Sequence, residues 1–313
     1  MEKDQPDWHF LVNPAASRGK TKKEWQRLLP KLQQALPQMT WAESTEVRGL
    51  SELAQAAVRA GRRYLVGVGG DGTHHDILNG IVTAGGLDVV TYAPLPRGTG
   101  NDWVRSLKVP RDLQQWLKNL RSGNTITQRV GALCYLPTDK TTDQAKRKTT
   151  YFLNVAGMAY DALVVRLSEQ ATFKHRFIYP SLTLLYLRKF LAPEVRIDYN
   201  GTSFTGLVHT VNFGIGKYSG GGMQLVPHAE LDADALALTF ARKLPVWKIL
   251  KESWRFYTGG IGALPEVTTV HTECVTVTPI SGVAELEADG EWLGRAPVEV
   301  GLLEGRLRVA GVP

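Results

Sequence analysis

The run Gly69-Gly70-Asp71-Gly72-Thr73 lies between the apolar stretch Tyr64-Leu65-Val66-Gly67-Val68 and a helix-like stretch from His74 to Val82. It reads as a strand, a tight turn and a helix start, the local unit of a sheet covered by helices. Glycines at 69, 70 and 72 permit positive φ and close backbone approach, so successive N–H groups can face one concave spot that suits an anion. The N-terminus of the following helix adds its positive end. Asp71 is the odd member, because a carboxylate in a phosphate-binding turn repels the ligand unless a metal ion or a transferable proton lies between them. The combination points to phosphoryl transfer more than to passive nucleotide binding.

The same alternation extends over the first part of the chain. Phe10-Leu11-Val12, Met39 to Ser44, Tyr64 to Val68 and Val89 to Ala93 read as strands, and Lys20 to Leu36, Leu50 to Ala60 and Leu113 to Leu120 as helices. From about Thr125 the texture changes to short alternating strands, among them Val195 to Tyr199, Val208 to Asn212, Leu236 to Phe240 and Val275 to Thr278. The predicted fold is α/β, an N-terminal doubly wound, mostly parallel sheet domain over 1–125 and a C-terminal mainly antiparallel β-rich domain over 126–313. The last strand is left open to return to the first domain. The lysine-rich stretch Thr138 to Thr150 reads as a mobile hairpin or loop.

The 313 residues suffice for two cores. Cys134 and Cys274 fall in unrelated segments without metal-ligand spacing, so a reducing cytoplasm is expected. The start of the chain shows no signal-peptide pattern, and no apolar run reaches the roughly 18 residues of a spanning helix. The expected location is therefore cytoplasmic or peripheral at the inner face of the membrane. A net charge of +7 suits an anionic partner. Nucleic acid is disfavoured, because no basic and aromatic recognition module is present. Oligomeric state is not readable.

Two further turns follow predicted strands. Asn13-Pro14-Ala15-Ala16-Ser17-Arg18-Gly19-Lys20 offers small residues and basic side chains to a phosphate, without the spacing of a P-loop. Pro96-Arg97-Gly98-Thr99-Gly100-Asn101-Asp102 offers Thr99 as donor, Asn101 or Asp102 as helix cap and Arg97 as counter-charge. Turns at the carboxyl ends of parallel strands converge in space, which is where such sheets bind ligands. In the second half, Asp289-Gly290-Glu291 reads as a turn between short strands, with two carboxylates free to face a cleft.

These motifs, with Asn79-Gly80, Asn154-Val155-Ala156-Gly157, Asn212-Phe213-Gly214 and Gly220-Gly221-Gly222, resemble the diacylglycerol kinase and sphingosine kinase catalytic domain family, closest to its bacterial soluble lipid kinases. The Gly69 to Thr73 element alone is shared by NAD kinases and phosphofructokinase relatives. The resemblance implies ATP held by Asn13, Pro14, Ser17, Arg18, Gly19, Thr45, Gly69, Gly70, Asp71, Gly72, Thr73, His75, Gly98, Thr99 and Asn101, with Mg2+ bridging the phosphates. It implies a lipid hydroxyl as acceptor, entering from the second domain, and Glu291 as proton acceptor with Asp289 beside it. Asp71 is then a magnesium ligand or a partner that positions the hydroxyl. The rivals are an NAD kinase and a non-catalytic lipid-binding module with a vestigial ATP site.

The chain departs from the family pattern at His74, His75 and Asp76, where a polar asparagine position has become His75. It departs again at Leu231-Asp232-Ala233-Asp234-Ala235-Leu236, where alanine occupies the expected ligand position of a structural Mg2+ and Asp232 or Asp234 is left to substitute. Phe173 to Leu191 combines aromatic and aliphatic residues with flanking Lys174, Arg176, Arg188 and Lys189, which suits a lipid tunnel, contact with an anionic membrane surface, or a buried helix. For Trp247 to Tyr257, with Lys248, Lys251 and Arg255, core packing with a solvated basic face is expected.

Overall fold

The computed structural model describes residues 6–98, 100–137, 147–170 and 186–313. The chain divides into two compact units, one running to Val130 and including Glu304–Pro313, the other Gly131–Leu303. Most of the stretch from Phe173 to Leu191, and of that from Thr138 to Thr150, lies outside the described residues.

The first unit is built on β1 (Trp8–Val12), α1 (Lys20–Ala35), β2 (Thr40–Glu43), α2 (Leu50–Arg59), β3 (Tyr64–Gly69), α3 (Asp71–Thr83), β4 (Thr91–Pro96), α4 (Asp102–Ser106), α5 (Leu113–Ser122), β5 (Thr125–Gln128) and β18 (Leu307–Ala310). Its sheet has the order β2-β1-β3-β4-β18-β5. All neighbours are parallel except β5 with β18. Parallel strands covered on both faces need apolar residues on both, and β1, β3 and β4 are almost wholly buried for that reason. Amphipathic helices supply the cover: α1 buries Trp25 and Leu32, α5 buries Trp116, Leu117 and Leu120. The register sets Val12 beside Val68 and Glu43, and Val68 beside Leu95. The carboxyl ends of four strands are thus level, and the turns that follow them share one edge.

The second unit contains β6 (Gly131–Pro137), β7 (Lys148–Phe152), β8 (Val155–Ala159), α6 (Tyr160–Gln170), β9 (Glu194–Tyr199), β10 (Thr202–Gly214), β11 (Tyr218–Ser219), β12 (Met223–Gln224), β13 (Leu236–Arg242), α7 (Val246–Lys251), α8 (Arg255–Thr258), β14 (Val267–Thr272), β15 (Cys274–Ser281), β16 (Glu285–Ala288) and β17 (Glu291–Leu302). The main sheet runs β14-β13-β10-β8-β16-β17-β15-β9, and β9 pairs again with β10. Thr202–Leu207 of β10 pairs with β9, whereas its later residues pair with β8 and β13, so one long strand closes the sheet on itself. The space enclosed is filled by residues such as Leu133, Phe152, Val211, Phe213, Leu238, Phe240, Val277 and Leu286. The expected pair of a parallel-dominated first sheet and an antiparallel β-rich second part is observed.

Candidate active site

Three turns of the first unit are tied to one another by hydrogen bonds. The Asn13 side chain turns back to accept the Ala15 N–H at 3.1 Å and donates to Thr73 Oγ1, also at 3.1 Å. Ser17, Arg18 and Gly19 are all left-handed, with φ of 52°, 59° and 77°, which curls this turn into the start of α1. The Ser17 hydroxyl donates to the Arg97 carbonyl at 2.6 Å, and the Arg97 N–H donates to the Gly69 carbonyl at 2.6 Å. Pro14 is half-buried, while Arg18 and Gly19 are exposed.

Glycine serves here through close approach. Gly70 has φ −109°, Gly69 ends β3 and Gly72 is already helical, so the expectation of positive φ in this run is corrected. A Cβ on Gly70 would stand 3.1 Å from the Gly98 Cα, and a Cβ on Gly98 would run into Gly70 and stand 2.7 Å from Asn101 Oδ1. The two turns touch backbone to backbone. The helix also begins at Asp71 rather than His74, because Gly70 is its cap, and Asp71, Gly72 and Thr73 form the first turn with their N–H groups directed out of the helix end.

Asp71 is half-buried; its Oδ1 accepts the Trp103 N–H at 3.3 Å, and its Oδ2 lies where a Cβ on Gly100 would come within 3.0 Å. Asn101 caps α4 from a left-handed position, but its side chain makes no cap bond. It grips Gly98 instead, accepting the Gly98 N–H at 3.2 Å and donating to its carbonyl at 2.7 Å. Arg97 is held by Glu24 at 3.7 Å and by the Pro96 carbonyl at 2.7 Å. Thr99 lies outside the described residues. Thr45 is exposed just beyond β2, and its hydroxyl accepts the Arg48 N–H at 3.1 Å.

The two histidines take separate paths. His74 is buried, its Nδ1 lies 2.6 Å from the Tyr92 hydroxyl, and its ring meets Tyr92 and Trp103 edge-on. Burial pushes its pKa down to about 3, so it is a neutral core residue. His75 is buried on α3, and its carbonyl accepts from Asn79 Nδ2 at 2.9 Å.

In the second unit the Asp289-Gly290-Glu291 turn divides its carboxylates. Asp289 has φ 52° and is buried; its two oxygens accept the N–H groups of Leu153 and Asn154, each at 2.9 Å, and its own N–H donates to the Val155 carbonyl. The expectation that both carboxylates face outward is therefore corrected: Asp289 staples the turn to the bend between β7 and β8, and Glu291 is exposed. Sequence reasoning missed Glu287, whose Oε2 accepts the Gly290 N–H at 2.9 Å. It lies with Asp161, Thr210 and Asn212 around Gly157, where a Cβ would stand 2.6 Å from Glu287 Oε1 and 3.2 Å from Asn212 Oδ1. Thr210 donates to Asp161 and receives from Asn212 Nδ2. Burial first, then repulsion from Asp161, Asp289 and Glu291, holds Glu287 well above the usual carboxylate range despite the Gly290 bond. Burial likewise raises Asp161. The only sequence signal was the glycine at 157 facing an asparagine strand.

The residues present suit a divalent cation at Asp71, since magnesium at phosphate sites is commonly held by one or two carboxylates plus phosphate oxygens, and this carboxylate stands at a helix N-terminus in a glycine-lined recess. At Asp232 and Asp234 the fit fails: both are exposed, and among the described residues no group of three acidic, histidine or cysteine side chains could hold an ion. No structural ion is derived there.

The diacylglycerol kinase catalytic domain matches residues 7–133, and the YegS C-terminal NAD kinase beta sandwich-like domain matches residues 154–311. A diacylglycerol kinase of Staphylococcus aureus is 25% identical over 303 residues, 96% of this chain and 90% of the relative. The crystal structure of a diacylglycerol kinase from Bacillus anthracis superposes with a TM-score of 0.70 at 19% identity, covering 98% of this chain and 97% of the other. Yeast NADH kinase superposes with a TM-score of 0.51 at 11% identity, over 98% of this chain and 84% of that one, a likeness of fold alone. With both of its halves matched in order, the chain belongs to the diacylglycerol kinase catalytic domain family and is a kinase.

Proposed function

We propose that this chain is an ATP-dependent lipid kinase that transfers the γ-phosphate of ATP to a lipid hydroxyl, of diacylglycerol, phosphatidylglycerol, a sphingoid base or a polyprenol. The name of the S. aureus relative favours diacylglycerol. The observation that carries the reading is the backbone contact of Gly70 with Gly98, with the Asn13 turn bonded to both neighbouring turns. It presents the N-terminus of α3 and small turn residues together, which suits a chain of phosphates.

Phosphoryl transfer asks the protein for positioning and for neutralised charge. The bonded turns of the first unit hold the phosphates in line, and Asn13, Ser17 and Asn101 fix those turns. Mg2+ at Asp71 would neutralise phosphate charge when bound. A lipid alcohol is a poor nucleophile near neutral pH, so a carboxylate must orient it and take its proton as the new O–P bond forms and the bond from the γ-phosphorus to the β–γ bridging oxygen breaks, releasing ADP. Glu291 is exposed and suits that role, whereas Asp289 is committed to two backbone N–H groups and supports the turn. The lipid is met at an anionic membrane surface, consistent with the net charge of +7.

The test is mass spectrometry of a whole-lipid extract incubated with the chain, ATP and magnesium. A new phospholipid supports the reading; phosphate appearing only on added NAD, or ATP binding without transfer, overturns it. Asp71→Asn and Glu291→Gln are each expected to abolish transfer, and near-wild-type turnover by either refutes that residue's role.

A further inference from the structure

The expectation that Trp247 to Tyr257 packs into the core is overturned by its exposure. Neither α7 nor α8 buries a single residue, and Trp247, Leu250, Trp254 and Tyr257 are 65%, 49%, 54% and 60% exposed. The segment is nonetheless firmly built. Backbone bonds continue through the junction, from Glu252 N–H to the Lys248 carbonyl, Arg255 to Glu252 and Tyr257 to Trp254. Phe256 packs on the small cluster of Val155, Leu225, Val226, Ala229 and Ala237, Lys248 pairs with Glu266 at 2.5 Å, and Gln224 donates to the Tyr257 carbonyl at 3.1 Å. The chain thus holds four large apolar side chains in water on a pinned scaffold.

Their neighbours indicate what covers them. Residues 242–257 contain five basic side chains and one acidic one. Arg242, Lys243 and Lys251 are exposed, and the Arg255 guanidinium stacks 4.6 Å over the Trp254 ring. Trp247, Leu250, Lys251 and Trp254 follow the i, i+3, i+4, i+7 spacing of one helical face. Tryptophan and tyrosine bordered by lysine and arginine is the composition that settles at a bilayer interface, with the rings at headgroup level and the cations on anionic headgroups. A second copy laid on the same patch would set like charges opposite one another, which disfavours self-association.

We propose that the helical segment 246–258 is an interfacial anchor that docks the protein on an anionic bilayer. Trp247, Leu250, Trp254 and Tyr257 enter the headgroup layer, and Lys243 and Lys251 meet lipid phosphates, while Arg255 is held by Glu252 at 2.7 Å and braces the Trp254 ring. The anchor rests on the lipid-kinase reading only for what it gains by docking; the docking itself needs no turnover.

The test is co-sedimentation of the full chain with vesicles of phosphatidylglycerol and phosphatidylcholine, and with phosphatidylcholine alone. Wild type should bind the anionic vesicles, lose binding as salt rises, and bind the neutral ones at least tenfold more weakly. Trp247→Ala with Trp254→Ala should weaken anionic-vesicle binding at least tenfold while leaving phosphorylation of a detergent-dispersed lipid unchanged. Lys251→Glu, an exposed change that spares folding, should lower binding several-fold and flatten its salt dependence. Unchanged vesicle binding by both variants overturns the proposal, as does a wild-type dimer in sedimentation that the tryptophan variant dissolves. Loss of turnover on dispersed lipid with vesicle binding intact would count against the kinase reading and leave the anchor standing.

Discussion

Replacing Asp289 by asparagine separates the two carboxylates of the Asp-Gly-Glu turn. Each Asp289 oxygen accepts one backbone N–H, from Leu153 and Asn154, at 2.9 Å in a buried setting. Hydrogen bonds to a charged acceptor contribute about 1.5–3 kcal/mol, and a buried N–H left unpaired costs about 1–3 kcal/mol. The amide keeps one acceptor and confronts the other N–H with a donor, so Asp289→Asn should cost roughly 2–3 kcal/mol. Asparagine also tolerates the left-handed φ of 52°, so the loss reports on the staple rather than on backbone strain. At about 2–4 °C per kcal/mol for a unit of this size, the melting temperature should fall by about 4–12 °C. Glu291→Gln is the control: Glu291 is exposed, and its change should stay within about 0.5 kcal/mol while transfer is lost. Differential scanning calorimetry beside a labelled-ATP assay reads both. An Asp289→Asn chain that melts with wild type refutes the staple, and a Glu291→Gln chain that melts early refutes the division of roles.

Two further outcomes follow from the first unit. Gly98→Ala places a methyl group against the Gly70 Cα and Asn101 Oδ1, so the turns must part; the KM for ATP should rise tenfold or more with little loss of helical circular dichroism, and an unchanged KM would sink the cradle. His74 is held neutral in the folded state with its pKa near 3, against about 6.5 when unfolded, so the unfolded chain takes up the proton first as pH falls. Stability is therefore lost on acidification below about 6.5, by roughly 2 kcal/mol between pH 7 and pH 5. His74→Asn should remove that part of the pH dependence in urea unfolding, and parallel curves for the two chains would refute it.

What the sequence displayed and what it hid can be traced to particular residues. The alternation of Phe10–Val12, Tyr64–Val68 and their helices is a local pattern, so the parallel sheet and the level ends of its strands were readable before any coordinates. Strand β10 was readable only as Val208 to Asn212, because its first half, Thr202–Leu207, pairs with a different neighbour and alternates only between exposed and half-buried positions, with a glycine at one half-buried position and Leu207 exposed, so no apolar alternation marks it in the sequence. The purpose of Gly70 was hidden too. A glycine is ambiguous between a positive φ and a close approach, and the partner that decides, Gly98, is remote in sequence.

The same ambiguity governs the functional surfaces. An apolar face at helical spacing is identical in sequence whether a protein core or a bilayer covers it; what tells the two apart here is that Phe256 packs on a core cluster while Trp247 and Trp254 stand exposed. Two acids separated by glycine are equally undecided. The left-handed turn at Asp289 sends one carboxylate inward to backbone N–H groups and leaves the next at the surface, while Glu287, three residues before Gly290, fastens the turn from beneath. Burial, with repulsion from Asp161, Asp289 and Glu291, holds the Glu287 carboxyl well above the usual carboxylate range, so the group that fastens the turn is the one most resistant to ionising there.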